Sequence, residues 1–225
     1  MLDVLHIDNH SIVVNKRSGD IVQGDKTGDE PLSEKVKKYI KKEFNKPGNV
    51  FCGVVHRLDR PTSGALVFAR TSKGLARLNE QFRNGVPKKT YWAIVENMPE
   101  EKEGRLEHFL AKNADKNKSF ITKESTTGAK KAVLNYKWLA SSDRYHLLEV
   151  QLETGRHHQI RCQLATIGSI IKGDLKYGAK RSNKDGSICL HARTLSYEHP
   201  TSKEPVEVTA KPPTDPLWDF FLKEV

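Results

Sequence analysis

Apolar and polar positions alternate with two periods along this chain. Between Tyr145 and Leu152, Leu148, Val150 and Leu152 stand opposite Glu149 and Gln151, which predicts a half-buried strand. Val36, Ile40 and Phe44 recur every four residues and predict a helix that Ser33 can cap and Asn45-Lys46-Pro47-Gly48 ends. Its lysines, Lys37, Lys38, Lys41 and Lys42, read as a solvated face. Leu75, Leu78 and Phe82 form a second helical stripe, capped at Ser72 and stopped at Asn84-Gly85. A third helix is expected from about His157, with Ile160, Leu164 and Ile167 inward and a stop at Gly168.

The continuous run Ala65-Leu66-Val67-Phe68-Ala69 reads as a central strand, and Lys89 to Val95 is a β-prone segment. Val4 to Ile7 and Ile12 to Val14 are short strands joined by Asp8-Asn9-His10, followed by a turn over residues 15–19. Residues 23–31 are rich in Gly and Asp and read as loop. Residues 112–131 carry Lys112, Lys116, Lys118, Lys123, Lys130 and Lys131, and read as a loop or an irregular hairpin, either floppy and solvated or an RNA-contacting finger. Trp218 to Leu222 is a short terminal helix behind a proline-rich stretch. Strands and helices interleave without a regular βαβ rhythm, so the expected class is α+β with a mixed sheet. No linker cuts residues 1–225 into independent domains, so one catalytic domain is expected.

Composition narrows the partner. The 225 residues carry a formal net charge of +10 and the pI is about 9.4. Nucleic acid is the first partner to consider, an anionic membrane the second, and a basic protein with no polyanion partner is the bland reading. The hydrophobic share is 36% and the mean hydropathy −0.63, and no apolar run approaches the roughly 20 residues needed to span a bilayer. Cys52, Cys162 and Cys189 are far apart, odd in number and in no Cys-x-x-Cys pair, which argues against a zinc ribbon or redox motif and suits a reducing cytosol. The first residues show no signal peptide, and a cytoplasmic protein is expected.

Three segments bear chemistry. In His56-Arg57-Leu58-Asp59-Arg60-Pro61-Thr62-Ser63-Gly64, one carboxylate lies between two guanidinium groups with hydroxyls close behind. Opposite charges favour an ionised carboxylate, and arginines grip phosphate bidentately. Such an Asp59 is either a turn residue paired with Arg57 or Arg60, or a nucleophile or electrostatic stabiliser. An N-glycosidase would want a second carboxylate, which only folding could bring, Asp174 being one candidate. Thr154-Gly155-Arg156-His157-His158-Gln159-Ile160-Arg161 gathers basic groups at a predicted helix N-terminus, which attracts phosphate. Adjacent histidines on a helix diverge, and no carboxylate or cysteine lies at ligand spacing, so no metal is expected. Tyr91 is either a core aromatic or a platform for an extruded base. Gly173-Asp174-Leu175-Lys176-Tyr177-Gly178 matches no phosphate-binding loop, so no nucleotide cofactor is expected.

In order, these segments resemble the RluA-type pseudouridine synthases over almost the full chain. Val14 to Gly19 resembles the first motif, His56 to Gly64 the catalytic motif, Lys89 to Val95 the tyrosine strand and Leu152 to Arg161 the third motif. Gly173-Asp174 with Tyr177-Gly178, Leu190-His191-Ala192 and His199-Pro200 follow. The chain departs from the pattern at Arg17, where proline is usual, at His157, where threonine or serine is commoner, and at Ser169-Ile170, which replaces His-Pro.

The resemblance implies a mixed, mostly antiparallel sheet with flanking helices around a central cleft. It implies isomerisation of uridine to pseudouridine in structured RNA, ribosomal or transfer, with the base flipped and no cofactor or metal. Asp59 would be the essential aspartate and Arg57 would enter the RNA helix where the uridine leaves. Tyr91 would stack on the flipped uracil, and Arg161 would pair with Asp59. Arg60, Arg156, His158 and Lys16 complete the set expected to meet RNA. No small RNA-binding module is expected ahead of the catalytic part, and a monomer is expected because no exposed apolar helix suggests an interface. A non-catalytic RNA-binding or folding factor on the same scaffold is the alternative.

Overall fold

The structure, a computed structural model, describes residues 2–25 and 27–225. Lys26, within the stretch read as loop, lies outside the described residues. In chain order the elements are β1 (Val4–Ile7), β2 (Ser11–Lys16), α1 (Leu32–Glu43), β3 (Gly53–Val54), β4 (Ser63–Ala69), α2 (Ser72–Arg83), β5 (Lys88–Val95) and β6 (Glu103–Asn113). There follow β7 (Lys118–Thr122), β8 (Lys130–Ser141), β9 (His146–Leu152), α3 (Gln159–Thr166), a 3₁₀ turn (Leu175–Tyr177), β10 (Leu190–Glu198), β11 (Pro205–Thr209) and α4 (Pro216–Glu224). This is an α+β chain whose strand pairing is mostly antiparallel. It divides into two compact units, Met1–Lys89 with Ala192–Pro212, and Thr90–His191 with Pro213–Val225.

In the first unit the strand order is β1-β2-β4-β10, with β11 on β10 and β3 on β4. Every residue of β4 is buried, as the unbroken apolar run requires of a strand paired on both edges. Val13, Ala65, Val67, Leu78, Leu195 and Tyr197 share its core, so α2 seals one face of β4 with the Leu78 stripe. The residue 15–19 turn begins later than its composition suggests, because Asn15 and Lys16 still pair with Ala65 and Gly64.

Both helix starts differ from the expectation. Thr71, not Ser72, caps α2, its hydroxyl accepting the Gly74 N–H at 3.0 Å. Ser33 lies inside α1, which opens at Pro31. The first N–H groups of that helix, on Leu32 and Ser33, donate to the Ile21 and Val22 carbonyls at 2.7 and 3.2 Å, so no hydroxyl cap is needed.

In the second unit the order is β5-β9-β8-β6-β7, antiparallel at every step. Of the loop and the irregular hairpin that residues 112–131 allow, the structure has the hairpin: β6 runs to Asn113, β7 pairs with it from Asn113↔Lys118 to Phe109↔Thr122, and β8 begins at Lys130. Leu110, Ala132, Cys162 and Tyr177 form a small core that joins α3 to this sheet. The terminal helix α4 docks through Trp218 and Phe221, and Asp215 caps it by accepting the Leu217 N–H at 2.9 Å.

Gly64 opens β4 at φ +119, a region closed to side chains. A Cβ there would lie 2.3 Å from the Ala192 carbonyl oxygen and 2.5 Å from its nitrogen, both backbone atoms that cannot yield. Gly64→Ala is expected to lower unfolding free energy by about 3 kcal/mol or more. Urea denaturation checks this; a loss under about 1 kcal/mol would show that the strand start can move.

Candidate active site

The catalytic-motif turn is built from behind. Lys16, at the end of β2, is 1% exposed. Its ammonium donates to the carbonyls of Arg17 (3.0 Å), Arg60 (3.1 Å) and Thr62 (2.7 Å). Ser18 donates to the Pro61 carbonyl at 3.1 Å and the Gly19 N–H to that of Arg60 at 2.9 Å. The Thr62 N–H closes the turn on the Asp59 carbonyl at 3.0 Å. Lys16 therefore does not reach RNA: a buried ammonium whose donors are taken by backbone is a brace for the Asp59 turn. Burial pushes its pKa down to about 8, while the carboxylates of Asp20 and Asp59 pull it back up. At pH 7 it stays mostly protonated.

The other side of the turn faces outward. Asp59 is half-buried, Arg57 and Arg60 are exposed, and Leu58 between them is buried. Arg60 pairs with Asp29 at 2.6 Å, a contact between exposed groups that contributes little. The Arg57 guanidinium has no ion pair or hydrogen bond among the described residues. The Thr62 hydroxyl is buried with no hydrogen-bond partner among them, the kind of unsatisfied group that concentrates at functional sites. His56 is a structural member: its Nε2 accepts the Val67 N–H at 3.2 Å and its ring stacks on Phe82 at 4.6 Å. Burial pushes its pKa down to about 3, helped by Lys89, so the ring is neutral at ordinary pH, with Nε2 as the acceptor.

Arg161 belongs to the second unit and is 5% exposed. Its Nε and Nη2 donate to the two Asp174 oxygens at 2.7 and 2.8 Å, a bidentate pair in which Asp174 is 1% exposed. Nη1 lies 3.0 Å from His158 Nε2, which must accept because a guanidinium only donates. His158 Nδ1–H then donates to the Tyr177 hydroxyl at 3.1 Å. Tyr177 donates in turn to the Ser119 carbonyl at 3.0 Å and accepts the Ser119 N–H at 2.9 Å. The Arg161 guanidinium also lies 5.2 Å from the Tyr177 ring centroid. His158 thus orients Arg161 from within the protein rather than touching RNA.

The helix expected from His157 begins at Gln159 instead. His158 adopts φ +53, and this left-handed residue stacks the His157 and His158 rings at 3.8 Å where a helix would splay them. Gln159 locks the turn: its Oε1 accepts from the Arg156 N–H (2.9 Å) and the Thr154 hydroxyl (2.8 Å), and its Nε2 donates to the Val133 carbonyl (3.0 Å). Arg156 is exposed and bonds the Lys131 carbonyl at 2.8 Å. Tyr91 is buried in β5 opposite Val150.

The candidate residues are therefore split. Asp59, Arg57, Arg60 and Lys16 lie in the first unit, and Tyr91, Arg156, His158 and Arg161 in the second. Reading by motif passed over Asp174 as a partner for Arg161, and Tyr177 and Gln159 as its supports. Asp174 and Tyr177 stood in a segment already singled out, but no local spacing says which cation they serve. A carboxylate so tightly ion-paired is a poor second catalytic acid, which weakens the N-glycosidase reading. Among the described residues no group of three or more His, Cys, Asp or Glu side chains could hold a metal.

The family model for RNA pseudouridylate synthases matches residues 10–166, a span that contains Asp59, Tyr91 and Arg161. The chain belongs to this family. An uncharacterized RNA pseudouridine synthase of Bacillus subtilis, YhcT, is 34% identical over 95% of this chain and 70% of its own. A Vibrio cholerae protein named tRNA pseudouridine synthase C is 32% identical over 100% of this chain and 96% of its own. Among solved structures, Human RNA Pseudouridylate Synthase Domain Containing 4 superposes with a TM-score of 0.79 at 25% identity, covering 99% of this chain and 91% of that one. The kinship is of the RluA type that the motifs resemble.

Two expectations follow for the synthase's buried cations. Asp174→Asn leaves the Arg161 guanidinium buried without its counter-charge and should cost about 3–5 kcal/mol, whereas the double variant Arg161→Met/Asp174→Leu should cost less than the single one. Denaturant titrations decide; a double variant worse than either single would show the pair to be net stabilising. A lysine whose folded pKa lies below its unfolded 10.5 opposes folding while it must remain protonated. For Lys16 that penalty, about 3 kcal/mol, is complete below pH 8 and fades between pH 8 and 10.5 as the folded chain sheds its proton first. Wild type should therefore gain stability over Lys16→Met across that window, and a constant difference would mean the ammonium is not desolvated.

Proposed function

We propose that this enzyme isomerises uridine to pseudouridine in transfer or ribosomal RNA, with Asp59 as the essential carboxylate. The observation that carries the reading is the Asp59 turn. Its backbone is clamped by a buried ammonium while its carboxylate stays half-open between two exposed arginines. A surface ion pair needs no such brace.

The reaction breaks the C1′–N1 bond, turns the uracil and rejoins it through C5. The C5 proton leaves to solvent and N1 gains one, so nothing is oxidised or reduced. A carboxylate serves by attacking C1′ or uracil C6, or by stabilising charge as the bond breaks. The uridine must first leave its stack, at a cost of a few kcal/mol. In this proposal Arg57, exposed and without an ion pair or hydrogen bond among the described residues, fills the gap left in the RNA, and Tyr91 stacks on the extruded base. Arg161, oriented by Asp174 and His158, is the guanidinium of the site, and Arg60 and Arg156 meet phosphates. No helix among the described residues is long and apolar enough to cross a membrane. All three cysteines are free, and burial raises Cys52 to about 12 and Cys162 to about 11, so these thiols are unreactive and suit a cytosolic enzyme.

Transfer or ribosomal RNA labelled with 5-tritiated uridine should release tritium with wild type, and Asp59→Asn should reduce release to background. Tyr91→Ala should lose roughly 5- to 100-fold in kcat/KM, while Tyr91→Phe keeps the ring and most of the rate. Equal release by wild type and Asp59→Asn would sink the proposal. So would free uracil and an abasic site in the treated RNA.

A further inference from the structure

β7 is the outer strand of the second unit's sheet, with β6 its one neighbour in the strand order. Lys112, Lys116 and Lys123 are exposed around it and form no ion pair among the described residues. Lysines on an open edge have an ordinary purpose, since they keep a bare strand from pairing with another chain. Phe120 does not fit that purpose. It sits mid-strand and is 44% exposed, so it restores the apolar surface that the lysines would guard against.

The hairpin is also held more firmly than an edge needs. The Tyr177 hydroxyl bonds both the N–H and the carbonyl of Ser119, the residue before Phe120. Ser119 Oγ donates to the His157 carbonyl at 2.7 Å. Lys176 Nζ donates to the Lys116 and Asn117 carbonyls at the tip, at 3.3 and 3.1 Å. With Ser119 fixed, the alternation of the strand turns Phe120 to the opposite face.

We propose that the β6–β7 hairpin is an RNA-docking finger, on which Phe120 stacks an unpaired base while Lys116 at the tip and Lys123 just past β7 meet the neighbouring phosphates. An exposed aromatic ring among unpaired cations has the chemistry of single-stranded nucleic acid: a π-face for a base and positive charge for the backbone. A protein partner of acidic composition would use the lysines and leave the ring unexplained. The inference rests on the isomerase reading and deepens it, by adding a docking point that chooses RNA with an unpaired base near the target.

The test uses the full chain and three probes: an RNA stem-loop whose loop carries 5-tritiated uridine, the same sequence as a perfect duplex, and heparin, a polyanion without bases. Phe120→Ala should weaken stem-loop binding roughly 5- to 100-fold, leave heparin binding unchanged, and raise KM for tritium release by a similar factor. Phe120→Trp should restore binding. Lys116→Gln/Lys123→Gln should weaken stem-loop and heparin alike and flatten the salt slope on single strands by about 0.7 for each phosphate no longer neutralised. Wild-type binding of the stem-loop by Phe120→Ala overturns the proposal, as does an equal weakening toward heparin. The two readings fail separately. A wild type that needs Phe120 to bind RNA but releases no tritium sinks the isomerase and keeps the finger. One that releases tritium with Phe120→Ala unimpaired sinks only the finger.

Discussion

A charged lysine inside a protein must be surrounded by oxygen, and at Lys16 that requirement shapes the site. Among the described residues no carboxylate is bonded to the ammonium; three main-chain carbonyls are, one from the segment after β2 and two from the turn that carries Asp59. A main-chain oxygen can satisfy a buried cation only if its peptide plane is fixed. The ammonium therefore sets the backbone on the far side of Asp59, at Arg60 and Thr62. The candidate side chains of the site remain outside the clamp: Arg57 and Arg60 exposed, Asp59 half-open. A flexible turn could carry the same residues, but it would not hold a carboxylate against a reacting atom to the tolerance that positioning catalysis needs.

The second unit meets the same problem with side chains. Arg161 is buried too, though slightly less than Lys16, yet two of its nitrogens go to a carboxylate and the third to an imidazole acceptor. An ion pair removed from water is a weak source of stability. What it confers here is direction, because a guanidinium bound through two parallel hydrogen bonds has one plane and one orientation. The donor order from Arg161 to His158, Tyr177 and the Ser119 carbonyl is self-consistent only for a neutral His158 with its proton on Nδ1. A histidine placed among arginines by sequence thus serves as an acceptor, and the left-handed backbone at His158 turns its ring to that use.

Much of this was legible in the sequence, and what was not has a common cause. The buried strand at residues 65–69, the α2 stripe and the terminal helix follow from local periodicity and are present. The caps failed because the partners of Leu32 and Ser33 lie ten or more residues away, at Ile21 and Val22, where no local pattern points. Residues 112–131 left loop and hairpin open, because polar composition hides a strand whose order comes from Tyr177, far along the chain. Asp59 and Tyr91 were visible through long motifs. Lys16 and His158 were visible too but were assigned to RNA, since a cationic or imidazole side chain advertises its charge in sequence and not its burial. Burial was the deciding variable for each residue whose assignment changed.

That distinction also sorts the net charge of +10. A buried cation neutralised by carbonyls or carboxylate adds little to the field that draws a polyanion, so the attraction must come from cations left in water. On the second unit several of these gather around β7, and its seat is not independent of Arg161. The Tyr177 hydroxyl accepts from His158 and also grips Ser119 through two main-chain hydrogen bonds. If Ser119 shifts, the acceptor that fixes the His158 proton shifts with it, and the Nε2 that receives Arg161 is no longer held in place. One phenolic oxygen therefore joins the strand that carries Phe120 to the orientation of Arg161.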